Sequence, residues 1–274
     1  MMMGSKMFHS AILRLTDKKQ IEDFLRKNTP LHLYGIGDLD DFFWPYVEWY
    51  ATRNGTDISC IFFLYTAANP PTLIALEEYD TLAGQQLLRD LLPRLPERFD
   101  CHISPGLLPI LQQAGCRIDA KVDHLKMRLH DMVKSHDTCQ TSFRIRRLTN
   151  TDLPDLLEFY QRSYPGNWFD PRMLKTDRYF GAFIFEKLLS AAGVHVYSSE
   201  YKVAALGNIT TDPDYRGQGV ASRLTLALCQ DLRQDGIKDI GLNVKTDNLA
   251  AIRCYEKIGF AICARYAELS VTKS

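Results

Sequence analysis

Apolar positions in this chain recur with two spacings. Some blocks are continuous or alternate every second residue, as strands do, and others repeat every three or four residues, as helices do. In the second half, Val203-Ala204-Ala205-Leu206-Gly207-Asn208-Ile209 is a nearly continuous apolar run that predicts a buried strand. Asp212-Pro213-Asp214 breaks it. From Val220 to Leu228 the apolar positions follow a helical period, so a helix opens near Val220. The connecting turn is Arg216-Gly217-Gln218-Gly219. Asp239 to Val244 predicts another strand, Thr246-Asp247-Asn248 caps a helix from Leu249 to Lys257, and Gly259 stops it.

Before the first of these strands, Phe143 to Leu148 alternates as a strand and Leu153 to Arg162 is a helix capped by Thr149 to Asp152. Arg172 to Tyr179 continues as helix, Gly181 to Ala192 fits strand or helix, and Gly193 to Ser198 is a strand. Ser199 to Lys202 is then a hairpin turn. In the first half, helices are expected at Asp17–Lys27, Leu82–Leu95 and Pro105–Ala114. Strands are expected at Ile58–Tyr65, Thr72–Leu76, Phe99–Ile103 and Val122–Leu129. Pro30 to Gly37 reads as a turn-rich connector, and the rings between Asp38 and Trp49 as core.

The two halves end alike. Leu111 to Ile118 and Tyr255 to Ile262 each read as helix, glycine stop and strand, and each follows strand, helix, strand. This is the signature of two copies of one α/β unit. The first copy carries Glu77-Glu78-Tyr79-Asp80-Thr81 where the second has Arg216 and its glycines. Carboxylates there would repel an anion, so the first copy is assigned a structural or substrate-shaping role, with its acids on a solvated loop. The polar, aperiodic stretch Asp131 to Ser142 is the expected boundary, giving domains at 1–135 and 142–274.

Composition narrows the class. The chain has 274 residues, 46% hydrophobic and 24% charged, within the globular range. Its formal charge is zero, so it has no basic excess for nucleic acid. No apolar run reaches the roughly 18 residues that cross a bilayer, and the opening MMMGSKMFHSAILRL has no signal-like apolar core. Seven cysteines without a C-x-x-C fit reduced, buried thiols, and no histidine pairs with them at zinc-ligand spacing. A cytoplasmic monomer or homodimer without metal is expected.

The turn after Ile209 has the chemistry of an anion site. Glycines admit close backbone approach, and the first N–H groups of a helix lack internal partners. The Walker pattern is absent, and Ser222 stands where a dinucleotide motif needs its third glycine. What remains, Arg216-x-x-Gly219-x-Ala221, resembles the pyrophosphate loop of the GNAT acetyltransferase superfamily. Asn248, Ala251, Tyr255, Gly259 and Phe260, about thirty residues later, are similar to that family's final motif. The strand ending in R-x-L-T, Arg146-x-Leu148-Thr149, followed by a polar cap and an acidic helix start, also resembles the opening of such domains. The resemblance covers Phe143 to Lys273 directly and, through the repeat, a degenerate copy before it. It implies an α/β fold of two GNAT-like acyl-CoA N-acyltransferase units with mixed sheets flanked by helices.

The resemblance also implies a reaction: N-acetyl transfer from acetyl-CoA to a primary amine of a small, amino acid-like molecule, by direct attack in a ternary complex. It assigns pantetheine to the backbone of Ile209, Thr210 and Thr211, and pyrophosphate to Arg216, Gly217, Gln218, Gly219, Val220, Ala221 and Ser222. Asn243, Asn248 and Ala251 would flank the cofactor, and Tyr255 would protonate the departing thiolate. Tyr164, Trp168, Phe169 and Asp170 would wall the acceptor. For the general base, His195, Glu200, Asp170 and Tyr164 stay open, as does a water chain. Two other readings are a non-catalytic acyl-CoA sensor or interaction module, and acylation of a protein or aminoacyl-tRNA.

Overall fold

The computed structural model describes residues 12–79, 81–132 and 142–273. Most of the expected boundary, residues 133–141, lies outside them, as does Asp80. The described residues form two compact units that interleave along the chain. One draws on 12–31, 41–123 and 265–273, and the other on 32–40, 124–132 and 142–264.

The strands of the first unit are β1 (Leu13–Leu15), β2 (Val47–Asn54), β3 (Asp57–Tyr65), β4 (Thr72–Ala75) and β5 (Arg98–Ile103). Its helices are α1 (Lys18–Leu25), α3 (Leu82–Leu91) and α4 (Leu108–Gln113). The sheet is mixed: β4 runs parallel to β5, with α3 between them in sequence, and the other pairs are antiparallel. Phe62, Leu73, Leu87, Leu88, Leu91, Phe99 and Leu111 fill its core.

The second unit repeats this plan. Its strands are β7 (Arg144–Arg147), β8 (Phe180–Ile184), β9 (Lys187–Ser198), β10 (Val203–Thr211) and β11 (Asp239–Lys245). Its helices are α5 (Leu153–Ser163), α6 (Val220–Gln234) and α7 (Leu249–Ile258). Here β10 and β11 are the parallel pair and α6 is the crossover. Leu156, Tyr160, Leu206, Leu224, Leu228 and Ile240 are among its core residues.

The interleaving comes from the last strand of each half. After α4, β6 (Arg117–Leu129) gives its residues 124–128 to the second unit, pairing antiparallel with β11. After α7, β12 (Phe260–Thr272) gives residues 267–272 to the first unit, pairing with β5. Linear pattern reads each strand correctly and cannot say which sheet receives it, because either sheet satisfies the same alternation.

The connector expected at Pro30–Gly37 is instead helix α2 (Thr29–Gly37). Pro30 sits in its first turn, where a missing N–H does no harm. Gly37 is required by contact: a methyl there would lie 2.1 Å from Val196 Cγ1. That contact lays α2 across β9, and Leu33, which would lie 3.2 Å from a methyl at Gly241, lays it across β11. The ambiguous segment 181–192 is two strands joined by a tight turn at Phe185, whose φ is +50°. Residues Pro171–Thr176 form a 3-10 helix ended by Asp177 at φ +55°, in place of the expected α-helix.

Candidate functional site

The strand predicted from Val203 to Ile209 forms and extends to Thr211. Its parallel pairing with β11 covers only Val203–Leu206 against Asp239–Leu242. Beyond that the two strands have different neighbours. Thr210 and Thr211 stay with β9, while Asn243, Val244 and Lys245 stay with β6. The parallel pair therefore parts at Gly207 and Asn243, leaving an opening in the sheet.

A bulge shapes the β10 side. Asn208 has φ +53°, uncommon for a residue with a side chain. The register jump from Gly207 to Thr210 leaves Asn208 and Ile209 outside the β9 ladder. Two buried phenols hold the conformation. The Tyr160 hydroxyl donates to the Asn208 carbonyl at 2.8 Å, and the Asn208 amide donates to the Tyr179 hydroxyl at 3.0 Å. Tyr179 donates onward to the Val194 carbonyl. Burial raises both phenols far above neutrality, so they remain protonated donors. Sequence reading assigned Asn208, Tyr160 and Tyr179 no role, although an asparagine inside an apolar strand is itself a signal of a bulge.

The strand end is tied down by side chains. Ser190 donates to the Thr210 carbonyl at 2.7 Å, and Thr210 donates to the Ser163 carbonyl at 3.2 Å. Arg216 is one of these ties: its Nε donates to Thr211 O and a terminal nitrogen to Ser163 O, at 3.1 and 3.0 Å. These contacts anchor the turn to the C-terminus of α5. Asp212 pairs with Arg162 and Lys187, and its carboxyl is lowered with backbone and ion-pair help.

Next in the chain is the N-terminus of α6. Gly219 is the cap residue at φ +80°, a conformation glycine adopts at little cost, and no side chain caps the helix. Gly217 also has positive φ, and a methyl at that position would meet nothing within 4 Å. Val220 is buried under the first turn, while Gln218 donates to the Asp214 carbonyl at 3.3 Å. The first-turn N–H groups of this 15-residue helix thus have no side-chain cap.

Tyr255 projects from α7 and is only 8% exposed. Its ring packs against Phe260, with centroids 5.9 Å apart. Burial, reinforced by the fields of Cys254 and Tyr164, pushes its phenol well above the usual tyrosine range. A neutral phenol is the form that can donate a proton. Tyr164 is the residue that ends α5, and its N–H donates to the Tyr160 carbonyl.

Other expected residues have structural duties. Asn248 accepts from the Ala251 N–H at 3.1 Å and caps α7. Asp170 accepts from the Arg172 backbone and guanidinium, which lower its carboxyl. Phe169 packs between Tyr160 and Tyr179, at 5.2 and 5.5 Å, so it belongs to the core. Trp168 is 61% exposed. Glu200 lies in the hairpin turn before Val203, at the paired end of β10 and away from the opening. Glu77, expected on a solvated loop, accepts from Thr81 N and Oγ1 at 3.3 and 2.7 Å.

The opening has a second face, toward α2. A methyl at Gly207 would lie 2.3 Å from the His195 ring, so that imidazole rests on the strand where the pair parts. Across the gap, Asn243 is in register with Lys126 of β6. Lys126 is 3% exposed, its Nζ is 3.4 Å from Asn243 Oδ1, and it lies 4.9 Å from the centre of the Tyr34 ring. His32 of α2 is lowered to about 3, first by burial and then by the Lys126 charge. Lys126 escaped sequence reading, although a lysine between apolar Leu125 and Met127 is a visible anomaly.

A parallel strand pair that parts beside a helix without a side-chain cap is the arrangement of an α/β acyltransferase fold. The chain belongs to the Acetyltransferase (GNAT) family, whose sequence profile matches residues 144–260. The [ribosomal protein bS18]-alanine N-acetyltransferase of Escherichia coli is 32% identical over 120 residues, 42% of this chain and 79% of that protein. Likeness of fold extends over nearly the whole chain. A GNAT-family acetyltransferase of Novosphingobium aromaticivorans superposes with a TM-score of 0.57 at 21% identity, covering 89% of this chain and 99% of that one. A tandem GNAT protein from the clavulanic acid biosynthesis pathway gives 0.55 at 13% identity, covering 96% and 98%. Enzymes of the family use acetyl-CoA as acyl donor, and the chain is an acyltransferase.

Proposed function

We propose that the chain transfers an acetyl group from acetyl-CoA to the primary amine of a small, amino acid-like molecule. The observation that carries this reading is the parting of β10 and β11 beside the uncapped N-terminus of α6. The backbone of Ile209, Thr210 and Thr211 would pair with the pantetheine amides, as an added strand does. The N–H groups from Gly217 to Ser222 would hold the pyrophosphate. Arg216 would act at once as anchor of the turn and as positive charge. Asn243 would meet the thioester end of the cofactor. Asn248 and Ala251 would serve by fixing the start of α7.

The chemistry follows from these placements. The neutral amine attacks the thioester carbonyl, a C–N bond forms, and collapse of the tetrahedral intermediate breaks the C–S bond. Tyr255 gives its proton to the departing thiolate. The attacking nitrogen loses a proton to His195 or to water beside it, since Asp170 is committed to Arg172 and Glu200 lies at the far end of β10. Tyr164 and Trp168 would flank the acceptor entrance.

The first unit is read as a degenerate copy of the same frame, with the functional domain in the second. The support is the repeated order of parallel strand, helix, strand and helix. Thiol release from acetyl-CoA, followed over a panel of amines, tests the reaction. Release with at least one small amine is expected. Normal calorimetric binding of acetyl-CoA with no release for any amine would instead favour a sensor.

A further inference from the structure

We propose that Lys126, with Asn243, binds the carboxylate of the acceptor, so that the substrate class is free amino acids rather than simple amines. This rests on the reading that acyl transfer occurs at the opening between β10 and β11.

Register supplies the first argument. Ala205 pairs with Gly241, so Gly207 and Asn243 fall on one face, and Lys126, in register with Asn243, falls there too. It is the face covered by α2, because a methyl at Gly241 would meet Leu33 at 3.2 Å. His195 lies over Gly207 on the β10 side of the gap. The α2 face of the opening therefore has a basic ring on one bank and an ammonium on the other.

Distance and charge supply the second. Neighbouring strands are spaced about 5 Å apart. Lys126 belongs to the second strand across from Gly207, and its long flexible stem leans toward the gap, as its contact with Asn243 requires. An amino acid whose nitrogen faces the thioester would thus turn its carboxylate toward Nζ. At 3% exposure the ammonium is shielded from bulk water, where a contact with a carboxylate is strengthened. The Tyr34 ring steadies the ammonium from one side. Asp38 on the same segment is raised to about 8 by burial and adds little opposing charge.

The test compares each common amino acid with its amide and its decarboxylated amine, by thiol release from acetyl-CoA. Free acids should be preferred in kcat/KM, and Lys126→Met should raise KM for the acid about 30-fold or more. Binding of acetyl-CoA should not change, and Lys126→Arg should restore part of the preference. Equal turnover of acids and amides by the native protein, or an unchanged acid-to-amide ratio in Lys126→Met, overturns the proposal. Calorimetric titration of the same panel into the CoA-bound protein tests the site without turnover. An acid that binds natively and not to Lys126→Met supports the carboxylate site even if transfer fails, whereas absence of any acid-selective binding overturns it. Failure to bind acetyl-CoA would refute the proposed function separately. Equal melting temperatures of the native and variant proteins identify an effect on binding rather than folding.

Discussion

The helices α3 and α6 occupy equivalent places, each crossing between two parallel strands, yet their N-termini are treated in opposite ways. At α3, Thr81 caps the helix by accepting from Gly84 N at 2.9 Å, and Glu77 reaches over the same turn. A methyl at Gly84 would lie 2.1 Å from a Glu77 carboxylate oxygen. The chain thus supplies its own anion to that helix. At α6 the cap is a glycine with no side chain, and the strand before it carries a bulge and parts from its neighbour. One helix start is closed over by an internal carboxylate and the other has no side-chain cap. A repeated fold therefore says little about a ligand, because the helix terminus decides whether an anion can be received.

The largest test of this contrast is Gly219→Glu. The added carboxylate would occupy the open turn and force a strained positive φ, so calorimetry should show acetyl-CoA binding lost. Normal binding would remove the basis for calling α6 a phosphate site. Tyr255→Phe comes next. Losing the proton donor should lower kcat about 100-fold in thiol-release assays and leave acetyl-CoA affinity unchanged. An unaltered kcat would assign the phenol to packing.

Asn208→Ala should follow. It keeps the positive φ but removes the amide bond to Tyr179, costing about 1–3 kcal/mol in denaturant titrations and raising KM for acetyl-CoA. Acidification should also destabilise the protein. His32 is charged below about 6.5 when unfolded but stays neutral in the fold down to about 3, so the unfolded chain binds more protons between those values. Stability is present above pH 6.5 and falls as pH drops, by about 1.4 kcal/mol per unit at most, and His32→Gln should flatten that slope in melting curves. Asp38 has the opposite sign: raised to about 8, it costs stability as pH rises from about 4 toward 8, and Asp38→Asn should relieve this. The smallest effect is expected from Thr81→Ala. It should cost about 1 kcal/mol in the first unit and leave transfer untouched, since that cap faces no substrate.

Much of the second unit was legible along the chain. The β10 strand, the Gly217–Gly219 turn, the start of α6 and the α7 helix with its Asn248 cap and Gly259 stop all have local causes: apolar period, capping atoms and positive φ at glycine. Helix α2 was missed because its glycines and proline argue locally for a turn, whereas close packing on Val196 and Gly241 makes those same glycines useful. Phe169 and Asp170 have contacts that linear reading could not show. A ring and an acid in a loop resemble a binding wall until the ring is found beside Tyr160 and Tyr179, and the acid beside Arg172.

The sequence by itself determined most elements of the second unit, the glycine turn at Gly217–Gly219 and the difference between Glu77 and Gly219 at the two helix starts. Each depends on side chains within a few residues of one another, where backbone preference and capping act. Only the tertiary structure decided that β6 and β12 serve the opposite units, that β10 parts from β11 at Gly207, and that Lys126 faces Asn243. Those outcomes depend on which strand edges meet, and hydrogen bonds between strands carry no record of distance along the chain.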